Sequence, residues 1–222
     1  MSPLHAVLFD LDGTLLDTAP DLGAAVNHVL VQEGFAPLSE AVIRQTTSHG
    51  ALGLLRAGLG DELLEELGAS RLRTALLDYY AAHLCLGTRP FEGMIELVHW
   101  LEEQAMPWGI VTNKPGFLTD PLLAQLPELK GCAVAVSADT LPVRKPDPAP
   151  MFYACDKLGV APAHTLYVGD HVRDIEAGRN AGMVTAVAGW GYLDEHDDPA
   201  LWQADLHFDT VQALHHWLRL SR

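Results

Sequence analysis

Ala6-Val7-Leu8-Phe9-Asp10-Leu11-Asp12-Gly13-Thr14-Leu15-Leu16-Asp17 is an apolar run that ends in two carboxylates two residues apart. In an extended segment residues i and i+2 point to the same side. One strand end therefore presents Asp10 and Asp12 to one small volume. Like charges held that close repel, so the pair calls for a bound cation or a shared proton. Gly13 lets the chain turn away, and Thr14 can hydrogen-bond within the turn.

Four further short apolar runs follow, at Trp108–Val111, 133–136, 166–168 and 184–187, with helical patterns between most of them. Met94, Leu97, Val98 and Leu101 share one helical face, residues 150–158 form a second helix, and 175–181 a third. Strands apolar on both faces, alternating with helices, predict an α/β fold with a parallel sheet covered by helices. Ligands of such sheets bind beyond the carboxyl ends of the strands.

The alternation stops between about residues 18 and 88, which read as helices only. Thr18 is placed to cap the first, with Pro20 in its first turn and Asp21 three residues after the cap. Leu22, Val26, Val29 and Leu30 form its apolar stripe, and Gly34 ends it. Further helical segments start at Ser39, Ala51, Asp61 and Ala69. Arg89-Pro90-Phe91-Glu92-Gly93 leads back to the alternating pattern. The expected organisation is a core of residues 1–17 and 89–222 with an inserted all-helical cap at 18–88. Val211, Leu214, Trp217 and Leu218 form a last amphipathic helix, packed on the sheet.

The 222 residues include 14 basic and 29 acidic ones, a formal net charge of −15. That sign disfavours nucleic acid and anionic membrane surfaces as partners. Any anionic substrate must then be drawn in by local cations. Cys85, Cys132 and Cys155 are widely spaced and odd in number, which reads as buried free thiols in a reducing compartment. Neither a secretory leader pattern nor an apolar run of membrane length is seen, so a cytoplasmic protein is expected.

Four polar clusters follow four of the apolar runs: Asp10 with Asp12, Thr112-Asn113, Lys145 within Val143-Arg144-Lys145-Pro146-Asp147, and Gly169-Asp170-His171-Val172-Arg173-Asp174. If the strands are parallel, the clusters converge on one sheet edge. The inventory of carboxylates, a hydroxyl, an ammonium and backbone amides suits phosphoryl transfer. Magnesium takes oxygen ligands and keeps several waters, so two or three carboxylates and a carbonyl suffice. A carboxylate can attack phosphorus, and a second can protonate the leaving oxygen and then deprotonate water. A zinc site is not expected, because no His/Cys cluster has ligand spacing.

Taken together, the run from Asp10 to Asp17 and the ordered positions Thr112, Lys145 and Asp170/Asp174 resemble the four motifs of the haloacid dehalogenase superfamily of aspartate-nucleophile hydrolases. The resemblance covers essentially the whole chain and implies a Rossmann-like core with an all-helical cap. It implies that Asp10 is the nucleophile and Asp12 the general acid/base. Mg2+ would be held by Asp10, the Asp12 carbonyl and Asp170, with Asp174 assisting directly or through water. Thr112 and Asn113 would bind phosphate, and Lys145 would pair with phosphate and with Asp10. Among subgroups the chain is similar to the phosphoglycolate phosphatase-like enzymes, on residues 15–21 and 168–183. Ser48-His49-Gly50 and residues 139–150 resemble relatives that hydrolyse N-acetylmuramic acid 6-phosphate.

The expected activity is Mg2+-dependent hydrolysis of a small phosphomonoester by a monomer or homodimer. His49, Arg44 and Arg56 are the cap candidates for substrate contact. A phosphomutase would use the same aspartates but yield an isomeric sugar phosphate instead of inorganic phosphate. A non-catalytic receiver domain is shorter, has no cap and does not carry its acceptor aspartate on the first strand. Dehalogenation does not need a second carboxylate, and Asp12 argues against it.

Overall fold

The computed structural model describes residues 3–194 and 198–221. Residues 1–2, 195–197 and 222, which fall within the expected core segments, lie outside the described residues. The chain forms a parallel sheet with strands β1 (Ala6–Phe9), β4 (Trp108–Val111), β5 (Val134–Val136), β6 (Thr165–Gly169), β7 (Val184–Ala188) and β8 (Leu206–Phe208). Their order across the sheet is β5-β4-β1-β6-β7-β8, every neighbouring pair parallel. The five expected strands are present, and β8 is an addition at the edge.

Alternation along β1 explains the layers. Val7 and Phe9 belong to one apolar cluster with Leu97 of α5 (Met94–Glu103) and Leu214 of α9 (Val211–Leu220). Leu8 points the other way, into a cluster with Met151 of α7 (Ala149–Leu158) and Ala177 of α8 (Val172–Asn180). All four β1 residues have zero exposure. A strand covered on both faces has to be apolar throughout, which is how the sequence reads there.

Between β2 (Leu16–Asp17) and β3 (Arg89–Pro90) the chain makes four α-helices. The helices are α1 (Ala19–Gln32), α2 (Glu40–Thr46), α3 (Gly50–Leu67) and α4 (Ala69–Ala82). β2 and β3 pair antiparallel, so the outgoing and returning strands of the helical block form a two-stranded ribbon. The segments expected from Ala51 and Asp61 are one element bent at Gly60, where φ is +73°. Gly34 stands just past α1 at φ +86°, as a helix-ending glycine should. α1 packs against α3 and α4. α6 (Gly116–Leu123), after β4, is a further helix that the apolar pattern does not announce.

Two local expectations are corrected. Thr18 precedes α1 but its hydroxyl caps nothing; it donates to Asp12 Oδ1 at 2.7 Å instead. The Ala19 N–H donates to the Tyr192 hydroxyl at 2.8 Å, so a tyrosine from the core satisfies one of the open donors at this end of the helix. Of the three free cysteines only Cys155 is buried; Cys85 and Cys132 are half-buried.

Asp21 holds the returning strand. Its carboxylate accepts from Gly87 N at 2.7 Å, Thr88 N at 3.0 Å and Thr88 Oγ1 at 2.6 Å. Thr88 is fully buried, so removing the acceptor leaves its donors unpaired. Asp21→Ala is expected to lower stability by about 2 kcal/mol or more. Urea denaturation measures this, and a loss under about 0.5 kcal/mol would show that solvent replaces the carboxylate.

Candidate active site

Asp10 follows β1, Thr112 follows β4 and Asp170 follows β6, and these strands are neighbours with β1 in the middle. The chain runs from β1 to β4 and β5 on one side, then crosses to β6, β7 and β8 on the other. Asp10 and Asp170 thus flank the point where the strand order reverses, the place where open α/β sheets bind ligands. Lys145 comes from the loop between β5 and α7.

Lys145 Nζ lies 2.8 Å from Asp10 Oδ1 and 2.6 Å from Asp174 Oδ1, with no exposed side-chain surface. It donates to the Tyr167 hydroxyl at 2.8 Å, and Tyr167 donates on to the Val111 carbonyl at 2.9 Å. The contact with Asp10 is an ion pair, and Lys145 is the cation nearest to the buried Asp10 Oδ1 among the described residues. Asp170 accepts from Thr14 Oγ1 at 3.2 Å, Ser48 Oγ at 2.9 Å and Tyr192 N at 2.9 Å. Asp174 belongs to a capping box at the start of α8, where Oδ2 accepts from His171 N at 3.1 Å. Gly13 stands at φ +82°, and a Cβ there would come within 2.1 Å of Asp170 Oδ2, so the turn after Asp12 packs against the second acid.

Asp12 points into the same cleft. Its Oδ1 accepts from Lys114 Nζ at 2.9 Å as well as from Thr18. Lys114 is buried and lies 4.5 Å above the centre of the Tyr80 ring on α4, so this ammonium joins the core acid to the helical block. Thr112 Oγ1 accepts from Lys114 N at 3.1 Å. Asn113 donates to the Lys145 carbonyl at 3.0 Å, while its buried Oδ1 has no partner.

Burial of so many charges moves their protonation. Burial pushes the Asp10 carboxyl up to about 6 against the pull of Lys145. Burial, aided by Asp10 and Asp174, pushes Asp170 up to about 7. Burial alone would raise Asp174 too, but the charges of Lys145 and Arg173 outweigh it and hold it low. His171 is pushed down to about 4 by burial and by Arg173, so its ring is neutral and accepts from Arg173 N.

One oxygen from each of Asp10, Asp170 and Asp174 lies within 4.8 Å of the others, and all three residues are buried. An all-oxygen cluster with two reluctant anions fits a hard divalent cation.

A cleft of about 490 Å³ opens over this floor, lined among others by Asp10, Asp12, His49, Thr112, Asn113 and Lys145. Two expected cap contacts are elsewhere. Arg44 reaches Asp17 with both terminal nitrogens, at 3.2 and 2.8 Å, and also Glu40 at 3.2 Å. It lines a separate shallow groove beside α1 and α2, because a carboxylate on β2 captures it first. Arg56 lies on the exposed side of α3 with Asp61, 2.5 Å away. His49 lies at the cleft, its ring edge-on to His171 at 5.5 Å. The reading of the sequence missed Lys114, Tyr80 and Arg173, whose guanidinium donates to the Ser48 carbonyl. Lys114 is the next residue after Asn113, a signal that was present in the motif itself.

Strand-end carboxylates, a buried lysine and a helical insertion after the first strand agree with a hydrolase built on a parallel sheet. The chain belongs to the haloacid dehalogenase-like hydrolases, whose family model matches residues 7–188. It is 40% identical over 211 residues to the N-acetylmuramic acid 6-phosphate phosphatase of Pseudomonas aeruginosa, covering 95% of this chain and 93% of that one. It is 43% identical over 201 residues to the phosphoglycolate phosphatase of Xylella fastidiosa, covering 90% and 87%. The crystal structure of a protein described as a predicted phosphoglycolate phosphatase from Haemophilus somnus superposes with a TM-score of 0.85 at 27% identity, over all of both chains. Within the family the chain stands among the phosphatases, phosphoric monoester hydrolases.

In the metal-free chain Asp10 and Asp170 keep their protons up to about 6 and about 7, above the ordinary value of 3.8. Between those limits the folded form binds more protons than the unfolded one, so this contribution to stability falls as pH rises. A divalent cation displaces those protons and removes the penalty. The rise in Tm on adding Mg2+ is therefore expected to be clearly larger at about pH 7.5 than at about pH 5.5. Thermal melts with and without Mg2+ check this; equal rises would contradict the protonation of the cluster.

Proposed function

We propose that this chain is a magnesium-dependent phosphatase in which Asp10 attacks the phosphorus of a small phosphomonoester. The observation that carries the reading is the arrangement of Asp10 and Asp12 on one cleft, the first beside Lys145 and the second held by Thr18 and Lys114. Asp10 is the nucleophile and forms an aspartyl-phosphate as the leaving oxygen departs. Asp12 gives that oxygen its proton and later takes one from the attacking water. Lys145, the Thr112 hydroxyl and the Asn113 amide hold the phosphoryl oxygens. Bound at Asp10, the Asp12 carbonyl and Asp170, Mg2+ would neutralise charge on the phosphoryl group. Asp174, locked in its capping box and against Lys145, acts on the metal directly or through water.

Residues 18–88 act as the cap. Ser48 and His49 reach the cleft from it, and closure excludes bulk water. Of the cap candidates His49 is retained for substrate contact; the ion pairs of Arg44 and Arg56 argue for structural roles. No described helix is long and apolar enough to cross a membrane. We take the enzyme to act in the cytoplasm, as a monomer or homodimer, on a small molecule.

The relatives' names offer two substrates, phosphoglycolate and N-acetylmuramic acid 6-phosphate. Phosphoglycolate-type esters are the first reading. The cleft volume of about 490 Å³ favours the second, since a two-carbon acid leaves most of it unfilled.

Phosphate release from a panel of phosphomonoesters with Mg2+ tests the activity. Asp10→Asn is expected to abolish turnover, and Asp12→Asn to lower kcat by about a hundredfold or more. Undiminished phosphate release by Asp10→Asn would sink the nucleophile assignment. Activity that survives thorough chelation would count against the metal. An isomeric sugar phosphate in place of inorganic phosphate would make the enzyme a mutase.

A further inference from the structure

The cleft carries more positive charge than its acids use. Two carboxylates, Asp10 and Asp12, line it against five cations, Arg73, Lys114, Arg144, Lys145 and Arg173, in a chain of net charge −15. Three of the five are committed: Lys145 to Asp10 and Asp174, Lys114 to Asp12, and Arg173 to the Ser48 carbonyl. Arg73 and Arg144 are exposed on the cleft, and neither side chain has a partner among the described residues.

Their positions separate them from the phosphoryl site. Arg73, Leu77 and Tyr80 lie at i, i+4 and i+7 on α4 and line the cleft from one helix face. Tyr80 is the deep end of that face, because its ring meets the Lys114 ammonium that pairs with Asp12. Seven residues of α-helix put the Arg73 backbone about 10 Å further along the axis. The wall from Tyr80 past Leu77 to Arg73 gives a leaving group that takes its proton from Asp12 a surface to follow out of the cleft. Arg144 lines the same cleft from the core side.

We propose that Arg73 is a specificity residue that binds a carboxylate on the leaving group, several bonds removed from the phosphoryl group. The preferred substrate class is then a phosphorylated sugar acid or a compound of similar span. A guanidinium binds a carboxylate through two parallel hydrogen bonds and stays charged at any working pH. The carboxylate of a two-carbon phospho-acid sits too close to phosphorus to reach Arg73 while its phosphate occupies the Asp10 site. The proposal rests on the phosphatase reading above.

The experiment measures kcat and KM, with Mg2+, for three esters and an aryl phosphate. The esters are N-acetylmuramic acid 6-phosphate, N-acetylglucosamine 6-phosphate (the same ring without the carboxylate) and phosphoglycolate. The wild type is expected to favour the sugar acid over its neutral counterpart by about tenfold or more in kcat/KM. Arg73→Met should remove that preference through KM, with kcat within about twofold and with the neutral sugar and phosphoglycolate unaffected. Arg73→Lys should restore part of it. Equal treatment of the two sugars by the wild type, or an equal loss on all three esters in Arg73→Met, overturns the assignment. If the wild type releases phosphate from none of the four, the phosphatase reading itself fails and the assignment falls with it.

Discussion

The Lys145 ammonium has no exposed surface and stands within 2.8 Å of Asp10 and 2.6 Å of Asp174. A buried charge is tolerated only when its partners are close, and here one cation answers two anions while Asp170 adds a third nearby. The balance falls short by design of the layout: Asp10 and Asp170 are pushed up towards neutrality, and only Asp174 is held low. The arrangement needs a further cation, and the rest of the fold serves to hold these groups where that need arises. β1 must be central for Asp10 to have β4 and β6 on either side. Its residues must therefore be apolar on both faces, and the helices on both faces follow from that.

The same constraint reaches into the helical block. Ser48 donates to Asp170, and Arg173, one residue before Asp174, donates back to the Ser48 carbonyl. Asp12 is held by Thr18 from the start of α1 and by Lys114, which rests on Tyr80 of α4. Asp12 and Asp170 thus each have one anchor in the sheet domain and one towards the helices. Any movement of the helical block relative to the sheet would change the surroundings of both acids, the physical route by which the proposed cap closure would act on the proposed chemistry.

The parts of the fold legible in the sequence were those with a local signature. Strands β1 and β4, apolar on both faces, stand where the pattern places them, and Gly34 ends α1 with the positive φ that favours glycine. β8 has an exposed and a half-buried residue beside its one buried residue, so its short pattern resembles a loop. The two-residue strands β2 and β3 exist only as partners 72 positions apart, which no local pattern can show. Thr18 illustrates a tertiary override: its sequence context is that of a helix cap, but a stronger acceptor, Asp12, lies within reach of its hydroxyl. Arg44 and Arg56 illustrate the limit for charges. A helical arginine near a site in sequence goes to a carboxylate close in space, here Asp17 for Arg44 and Asp61 for Arg56.

Chemistry and selectivity are consequently written in different ways along the chain. The groups proposed to react sit at strand ends, where one or two residues fix position, so a short motif suffices to find them. The residue proposed to meet the leaving group sits on a helix face, where membership depends on the 3.6-residue period and on which neighbours are already paired. Arg71 and Arg73 show the difference. They are two residues apart on α4, yet Arg71 is held by Glu33 at 2.7 Å while Arg73 lines the cleft without a partner among the described residues. In a chain of net charge −15 an uncommitted arginine at a cleft is unusual in a physical sense, because carboxylates to quench it are abundant. That it has no partner among the described residues follows from the fold, and the proposed contact with the leaving group rests on that.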